Sequence, residues 1–303
     1  MRLSSLVCAG FALLLAFAPG VPPAAAQTAT PVAIRFAGLV GDQPFACGRS
    51  YDGIGSPASR ITPSDFRFYV SGVELIDDQG RGVPVTLTQD GVWQHEDVAL
   101  LDFENRTGPC VTGTVETNDV VRGTVPAGRY RGLRFTLGLP PALNHADATT
   151  APSPLNLTSL FWSWQAGHKF LRIDLASDRR PQSVRPGDVP RFGDMAGSHR
   201  LGFAVHLGST MCASAGPTTP PASPCRNPNL ARIELNGFDV AQNVVVADMK
   251  ALLTGVDVNT NQPDSPAGCM SSPNDGDCDP LMQNLGLSFG GRTSAGQRFF
   301  RVQ

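Results

Sequence analysis

Apolar and polar side chains alternate along Leu133-Arg134-Phe135-Thr136-Leu137, and the same alternation recurs in residues 171–175 and 203–207. Because successive side chains of a β-strand point to opposite faces, this period is typical of an antiparallel strand that buries one face. Further short β-type runs, separated by glycine- and proline-rich turns, lie at 32–37, 66–70, 83–88, 98–103, 114–121, 130–139, 170–175, 201–207, 231–235 and 243–246. Only 248–253 and 279–285 indicate brief helices. The sequence therefore predicts an all-β, single-domain, β-sandwich-like fold with long loops and short helices over residues 27–303.

The charge balance excludes one broad class of partner. The chain has 303 residues, with 24 Lys+Arg against 26 Asp+Glu and a net charge of −2. A nucleic-acid-binding surface needs a basic patch or stripe, so we expect no nucleic-acid partner. Hydrophobic residues make up 41% of the chain and charged residues 17%, which is enough apolar surface to bury a core.

The N-terminal segment predicts export. Arg2 precedes an apolar stretch at residues 6–17, and small residues follow at Ala24-Ala25-Ala26. This order is typical of a secretory signal peptide, which we place at residues 1–26 with cleavage near Ala26. The apolar stretch is too short to span a bilayer, so we expect a periplasmic, cell-surface or secreted protein without a stable membrane span.

Six cysteines remain after the signal segment is removed. They are Cys47, Cys110, Cys212, Cys225, Cys269 and Cys278. An even number in an exported chain favours disulfides, although six cysteines allow many pairings. Closure of the two short loops pairs Cys212 with Cys225 and Cys269 with Cys278, which leaves Cys47 with Cys110. The alternative is a thiolate metal site, but the sequence has no Cys-x-x-Cys pair.

Three of the five histidines lie in strand-like contexts that suit a metal site. Trp93 and His95 are two residues apart, so an extended segment projects both from one face. Imidazoles from His168 and His206, on separate predicted strands, are candidates to converge with them. Such a nitrogen-rich site suits copper or zinc. The alternative is a tryptophan packed over a sheet with a histidine at its rim.

Two other classes of function remain open at this point. The protein is either a structural or binding β-sandwich whose histidines are incidental, or a hydrolase that uses the acidic cluster of Glu96, Asp97, Asp102 and Glu104. We expect these four carboxylates to be solvated. The sequence shows no organised nucleophile or base beside them, so a hydrolase is the weaker alternative.

Several separated motifs resemble one known family. They are the segments 91–95, 98–105 with Cys110, 161–170, 206–210 with Cys212, and 269–278. In this order they resemble the metallo-mystery pair, four-cysteine-motif family, which includes methanobactin-associated periplasmic copper-binding proteins and surface copper proteins of methanotrophs. The resemblance covers nearly the whole mature chain.

The resemblance implies a β-rich exported protein that binds copper without catalytic turnover and acquires, stores or transfers it. In such proteins a partner di-haem protein related to cytochrome c peroxidases oxidises a tryptophan to kynurenine, whose amine binds copper with two histidines. That tryptophan and the first histidine map onto Trp93 and His95. His168 ranks above His206 as the second histidine. Trp162 and Trp164 are alternative oxidation sites. A neutral set of two imidazoles and one amine favours Cu(I).

Overall fold

Strands dominate the computed structural model, which describes residues 28–163, 165–178, 202–216 and 218–303. The strands of this part of the chain are β1 (Ala29–Val40), β2 (Gln43–Pro44), β3 (Tyr51–Ile54), β4 (Ser59–Asp77), β5 (Gly82–Pro84), β6 (Thr86–Leu87), β7 (Gln94–His95), β8 (Val98–Asp102), β9 (Val120–Pro126), β10 (Tyr130–Leu137), β11 (Phe161–Ser163), β12 (Gly167–His168), β13 (Leu171–Ser177), β14 (Gly202–Leu207), β15 (Ala231–Asn236), β16 (Val245–Asp248), β17 (Gly268–Cys269) and β18 (Phe300–Val302). Short helices are α1 (Pro141–Asn144), α2 (Met249–Leu252) and α3 (Asp279–Asn284). This composition confirms the predicted all-β class.

Two large sheets organise these strands. The smaller has the order β18-β16-β1-β9-β6, with β2 paired to β1. The larger has the order β15-β10-β4-β13-β14-β17, with β3, β5 and β8 paired to β4 and β7 paired to β8. Most pairs are antiparallel, but β1 runs parallel to β16 and β14 runs parallel to β17. Strand β4 has 19 residues and is the central element of the larger sheet.

Aromatic side chains join the two sheets. Phe36 on β1 lies 6.2 Å from Phe68 on β4 and 5.8 Å from Phe135 on β10, as measured between ring centroids. Phe300 on β18 lies 5.1 Å from Phe135 and 5.5 Å from Phe68. All four side chains are buried, and these edge-on contacts add to the free energy of apolar burial. The sheets therefore pack face to face around one aromatic core, as in a sandwich.

One predicted strand was wrong. The run 114–121 was predicted as extended, but β9 begins only at Val120. Side chains from the preceding strand hold the start of this run instead. The Thr114 amide donates to Glu104 Oε1 at 2.8 Å, and its hydroxyl donates to Asp102 Oδ2 at 3.1 Å. Local side-chain partners therefore replace the ladder that the β-branched residues favour.

Both predicted helices are present. Asp248 begins α2 as its N-cap, because its side chain accepts hydrogen bonds from the amides of Lys250 and Ala251. Proline in the first turn begins α3 at Asp279. Neither helix exceeds two turns, and no described residues form a helix long and apolar enough to cross a bilayer. The predicted signal segment, residues 1–26, lies outside the described residues.

Three disulfides link the loops. They pair Cys47 with Cys110, Cys212 with Cys225, and Cys269 with Cys278. The first joins loops 63 residues apart, and the others close loops with separations of 13 and 9 residues. The three bridges are the pairs expected from loop closure, so these sulfurs are not thiolate ligands in the oxidised protein.

Candidate metal centre

Trp93 immediately precedes the short strand β7, which contains His95, and both side chains are half-buried. Residues 93–95 alternate between half-buried, buried and half-buried, so the two side chains share the face opposite Gln94. The carbonyl of Trp93 accepts a hydrogen bond from the Leu100 amide at 2.9 Å, and His95 pairs with Val98. This extended geometry agrees with the spacing argument from the sequence. Trp93 also packs against the hydrophobic core and remains half-buried.

The opposite face of β7 is fixed by Gln94. Its buried amide nitrogen donates to the carbonyls of Thr88 at 2.6 Å and Arg122 at 2.8 Å. Its amide oxygen accepts from the Arg122 amide at 2.7 Å. Because Arg122 belongs to β9, this one side chain ties the larger sheet to the smaller one. A buried amide with all these partners locks the direction in which Trp93 and His95 project.

The turn before β7 is fixed by Asp90. One carboxylate oxygen, Oδ1, accepts hydrogen bonds from the amides of Val92 at 2.9 Å, Trp93 at 2.7 Å and Gln94 at 2.9 Å. Sequence reasoning missed Asp90 and Gln94 as positioning residues. The Asp90-Gly91 dipeptide was the available signal, since aspartate caps turns and Gly91 has a φ of 73°.

His95 is accessible to solvent and to a partner. Its side chain is 26% exposed, and Nε2 lies 3.7 Å from Glu96 Oε1. That distance is longer than a hydrogen bond. The imidazole can therefore present a ring nitrogen beside Trp93 without losing a hydrogen bond to Glu96.

His168 is fully buried, and both ring nitrogens face backbone carbonyls. Nδ1 lies 2.7 Å from the oxygen of Asn144, and Nε2 lies 2.9 Å from the oxygen of Leu155. Burial lowers the pKa of His168 below its usual value. A neutral imidazole has one N–H, so one carbonyl accepts a hydrogen bond and the other faces a ring lone pair. The ring nitrogen without a hydrogen has the lone pair that a metal ion needs.

A strap of three residues, Ser153-Pro154-Leu155, connects His168 to the Trp93 segment. The Ser153 hydroxyl donates to the carbonyl of Val92 at 2.7 Å. The Pro154 carbonyl accepts from the Tyr69 hydroxyl at 2.9 Å, and the next carbonyl is the one that faces His168. The structure therefore brings His168 and the Trp93 segment to the same strap. Among the described residues it shows no hydrogen bond or ring contact between Trp93 or His95 and His168.

His206 lies in a buried ion network between β4, β13 and β14. Its Nε2 is 2.7 Å from Asp174 Oδ1, and Arg172 lies 2.6 Å from the other oxygen of that carboxylate. Arg172 also reaches Asp65 at 3.1 Å, which in turn pairs with Arg67. Although burial raises the pKa of Asp174, His206 and Arg172 outweigh it and hold that pKa well below its usual range. Burial lowers the pKa of His206 below its usual value despite the attraction of Asp174, so the structure places this imidazole in a hydrogen bond with Asp174 and shows no contact with Trp93 among the described residues.

The remaining histidines and tryptophans lie elsewhere. Trp162 packs over Gly208, and its ring centroid lies 6.4 Å from that of His206. His145 lies beside the Cys212–Cys225 disulfide, with 3.5 Å between Nε2 and the sulfur of Cys225. Trp164 and His199 lie outside the described residues.

The acidic cluster divides into two unlike pairs. Glu96 and Asp97 are exposed, but Asp102 and Glu104 are fully buried, so the expectation that all four are solvated was wrong for the second pair. Glu104 accepts hydrogen bonds from the amides of Arg106 and Thr114. These two carboxylates stabilise a loop and are closed to solvent.

Asp102 is expected to make stability fall as the pH rises. Burial, with the charges of Glu104 and Asp65, outweighs the attraction of Arg67 and raises the pKa of Asp102 to about 8. The unfolded chain has an aspartate pKa of about 3.9, so between these values the folded state holds a proton that the unfolded state has lost. The free energy of unfolding should therefore decrease from about pH 4 to about pH 8, by up to about 1.4 kcal/mol per pH unit.

Urea unfolding at a series of pH values measures this slope. Asp102→Asn should flatten it, whereas Asp97→Asn, which changes an exposed carboxylate nearby, should not. An unchanged slope in Asp102→Asn would assign the pH dependence to another group.

The fold and the site define an all-β, disulfide-linked protein with a fixed Trp–His segment that one strap connects to a buried histidine. The family model described as MbnP matches residues 29–271. The chain is also similar to the solved structure of MbnP from Methylosinus trichosporium, with 30% sequence identity, a TM-score of 0.75, and coverage of 91% of this chain and 98% of that chain. Comparison with curated proteins finds no significant match. The chain belongs to the MbnP family, a methanobactin-associated family.

Proposed function

We propose that this protein is an exported copper-binding protein that acquires, stores or transfers copper in the cell envelope. The observation that carries the proposal is the Trp93–His95 pair, two half-buried side chains on either side of Gln94, which is fixed by its own hydrogen bonds. Such rigidity serves a metal site, because ligands held before binding lose less entropy when the ion arrives. Export rests on the signal-like residues 1–26 and on membership of the MbnP family.

The ligand chemistry requires oxidation of Trp93. An intact indole N–H is a donor and offers no lone pair to a metal. Conversion to kynurenine breaks the C2–C3 bond of the indole and consumes two molecules of hydrogen peroxide, each of which gives one oxygen atom to the ring carbons and one to water. Hydrolysis then releases C2 as formate and leaves an aromatic amine. The amine has the lone pair that the indole lacked.

A di-haem partner related to cytochrome c peroxidases would activate the peroxide. The half-buried position of Trp93 supports this, since part of the residue is open to a docked protein and part packs on the core. No cysteine thiolate is available near it in the oxidised chain, because the six described cysteines form disulfides. Cysteine thiolates therefore do not compete with Trp93 for the oxidant.

The amine of oxidised Trp93, His95 and His168 form the proposed ligand set for Cu(I). His95 needs no rearrangement. His168 becomes available through Nε2 when the Leu155 carbonyl, which lies 2.9 Å away, moves aside. The set carries no carboxylate, and neutral nitrogen ligands suit a monovalent soft cation.

The test compares protein made with and without the haem partner. We expect tryptic mass spectrometry to show loss of one carbon and gain of one oxygen at Trp93 only when the partner and peroxide are present. Copper binding, measured by competition with a chromophoric Cu(I) chelator, should follow the oxidised fraction.

Trp162 provides the internal control, because it is also half-buried and lies beside a different histidine. Tight stoichiometric copper binding by protein with intact Trp93 would contradict the dependence on oxidation. The same mass change found only at Trp162 or Trp164 would assign the oxidised tryptophan, and with it the copper site, to that residue.

A further inference from the structure

A second group of potential metal ligands surrounds the Cys212–Cys225 disulfide. His145 Nε2 and the two sulfurs all lie within 4.8 Å of one another. We propose that reduction of this disulfide creates a Cys2His site for a soft metal ion, with Cu(I) as the preferred occupant. The site is separate from Trp93 and needs no oxidised tryptophan.

The geometry fits a three-coordinate ion. Metal–sulfur bonds of about 2.3 Å and metal–nitrogen bonds of about 2.0 Å place trigonal ligands roughly 3.7 Å apart. His145 Nε2 already lies 3.5 Å from the sulfur of Cys225. Once the S–S bond is broken, the sulfurs need only separate to a similar distance. Two thiolates and one imidazole form a donor set typical of Cu(I) or zinc.

The two cysteines should stay together after reduction, because backbone hydrogen bonds close their loop independently. The amide of Thr210 donates to the carbonyl of Asn227 at 2.9 Å, and the amide of Asn227 donates back at 3.1 Å. The amide of Arg226 donates to the carbonyl of Met211 at 3.2 Å. These bonds hold the residues beside Cys212 and Cys225 at the base of the loop. The disulfide is therefore not the only link between the two ends.

The third ligand is positioned from a different part of the chain. Asn144, the neighbour of His145, is buried at the end of α1, and its amide nitrogen donates to the Ser209 hydroxyl at 3.2 Å. Its amide oxygen accepts from the His168 amide at 2.9 Å. The amide nitrogen of Asn144 also lies 3.2 Å from His145 Nε2, a contact that Nε2 gives up when it binds a metal. The bonds of Asn144 place His145 against the disulfide through contacts that reduction does not touch.

This disulfide has a softer set of neighbouring ligands than the other grouping of its kind. Cys212 is 9% exposed and Cys225 is 8% exposed, beneath a loop whose described residues are mostly exposed. The other grouping of this kind contains Cys47, Glu104 and Cys110. There Cys47 is half-buried and Cys110 is fully buried, and Glu104 is a hard oxygen ligand that already accepts two backbone amides.

The reaction balances with a dithiol reductant. The disulfide accepts two electrons and two protons, and the dithiol becomes a disulfide. On metal binding both cysteine thiols lose their protons to solvent, and His145 ligates as the neutral imidazole. A dithiol oxidoreductase of the cell envelope is the class of reaction partner required.

The test compares Cu(I) uptake by the full chain before and after reduction with a phosphine that is then removed without oxygen. Alkylation and peptide mapping identify which cysteines have opened, and circular dichroism monitors the fold. We expect reduced protein to bind one more Cu(I) than oxidised protein, in competition with a chromophoric chelator. The result is the difference in Cu(I) uptake between the reduced and the oxidised sample. The proposed Trp93 site is the same in both samples and cancels in that difference.

Two variants decide the assignment. His145→Ala should lower the affinity for the additional ion at least tenfold, and Cys212→Ser/Cys225→Ser should abolish the additional uptake. Since His145 is only partly buried, its variant retains both thiols and tests the site even if the double variant folds poorly. Equal additional uptake by the double variant, or an unchanged affinity in His145→Ala, would overturn the proposal.

Discussion

Alanine in place of His95 is expected to lower the Cu(I) affinity of the Trp93-oxidised protein by more than about 100-fold. Removal of a partner in the outer shell of a metal site already costs about 10- to 100-fold, and His95 is proposed as a direct ligand. The side chain is 26% exposed and makes no hydrogen bond among the described residues, so its removal should leave the fold intact. Competition with a chromophoric Cu(I) chelator measures the change.

Three matched histidine variants separate ligation from folding. His145→Ala in the oxidised protein should leave the affinity unchanged, because the Cys212–Cys225 disulfide is closed. His168→Gln should lower the affinity only if the Leu155 carbonyl moves, so unfolding must be measured on the same variant. His206→Gln should lower stability more than affinity, since His206 pairs with Asp174. An affinity for His95→Ala equal to that of the parent would remove His95 from the site.

The core strands were predictable because their pattern is local. The alternation in 133–137 matches β10, and the runs at 171–175 and 203–207 match β13 and β14. The length of β4 was not predictable, since the recognised run 66–70 is a fraction of its 19 residues. Proline and glycine usually interrupt a strand, yet Pro63 and Gly72 both lie within β4. Gly72 has a φ of 57°, and the register of β4 shifts near it and near Pro63.

The buried ion network was hidden from the sequence for a different reason. Asp65 with Arg67 and Arg172 with Asp174 each occupy alternate positions, which favours a solvated face. Adjacent pairing of β4 and β13 places these faces together, where they neutralise one another. A single strand cannot reveal this, because the compensating charges come from a strand more than 100 residues away.

The Trp93–His95 pair was recognisable from spacing, but what holds it was not. Its shared face follows from the period of a strand. The bonds of Gln94 to Thr88 and Arg122 join two sheets, and that contact exists only after the sheets pack. The strap that links Val92 to His168 likewise depends on a long connection and has no sequence pattern.

The second large effect concerns Arg67 at the centre of the ion network. Arg67→Met is expected to destabilise the fold by about 3–5 kcal/mol, the range for removal of one partner of a buried ion pair. Arg67 is fully buried, and its Nε donates to Asp65 Oδ1 at 2.9 Å. Burial opposes its charge, but Asp65, Asp102 and Glu104 together raise its pKa above the usual value, so the guanidinium is ionised. Without it, these acidic side chains face one another across an apolar sheet.

Arg60→Met on the same strand is the control, because the Arg60–Asp52 pair spans 2.7 Å but is exposed on both sides. Urea unfolding of the oxidised protein, followed by circular dichroism, should show little change for Arg60→Met. Asp65→Asn added to Arg67→Met should recover part of the loss, because it removes a buried charge left without its partner. A loss for Arg67→Met no larger than for Arg60→Met would mean that Arg172 and protonated carboxylates already neutralise Asp65, and that Arg67 fills space at the junction of β4 and β13 more than it carries charge.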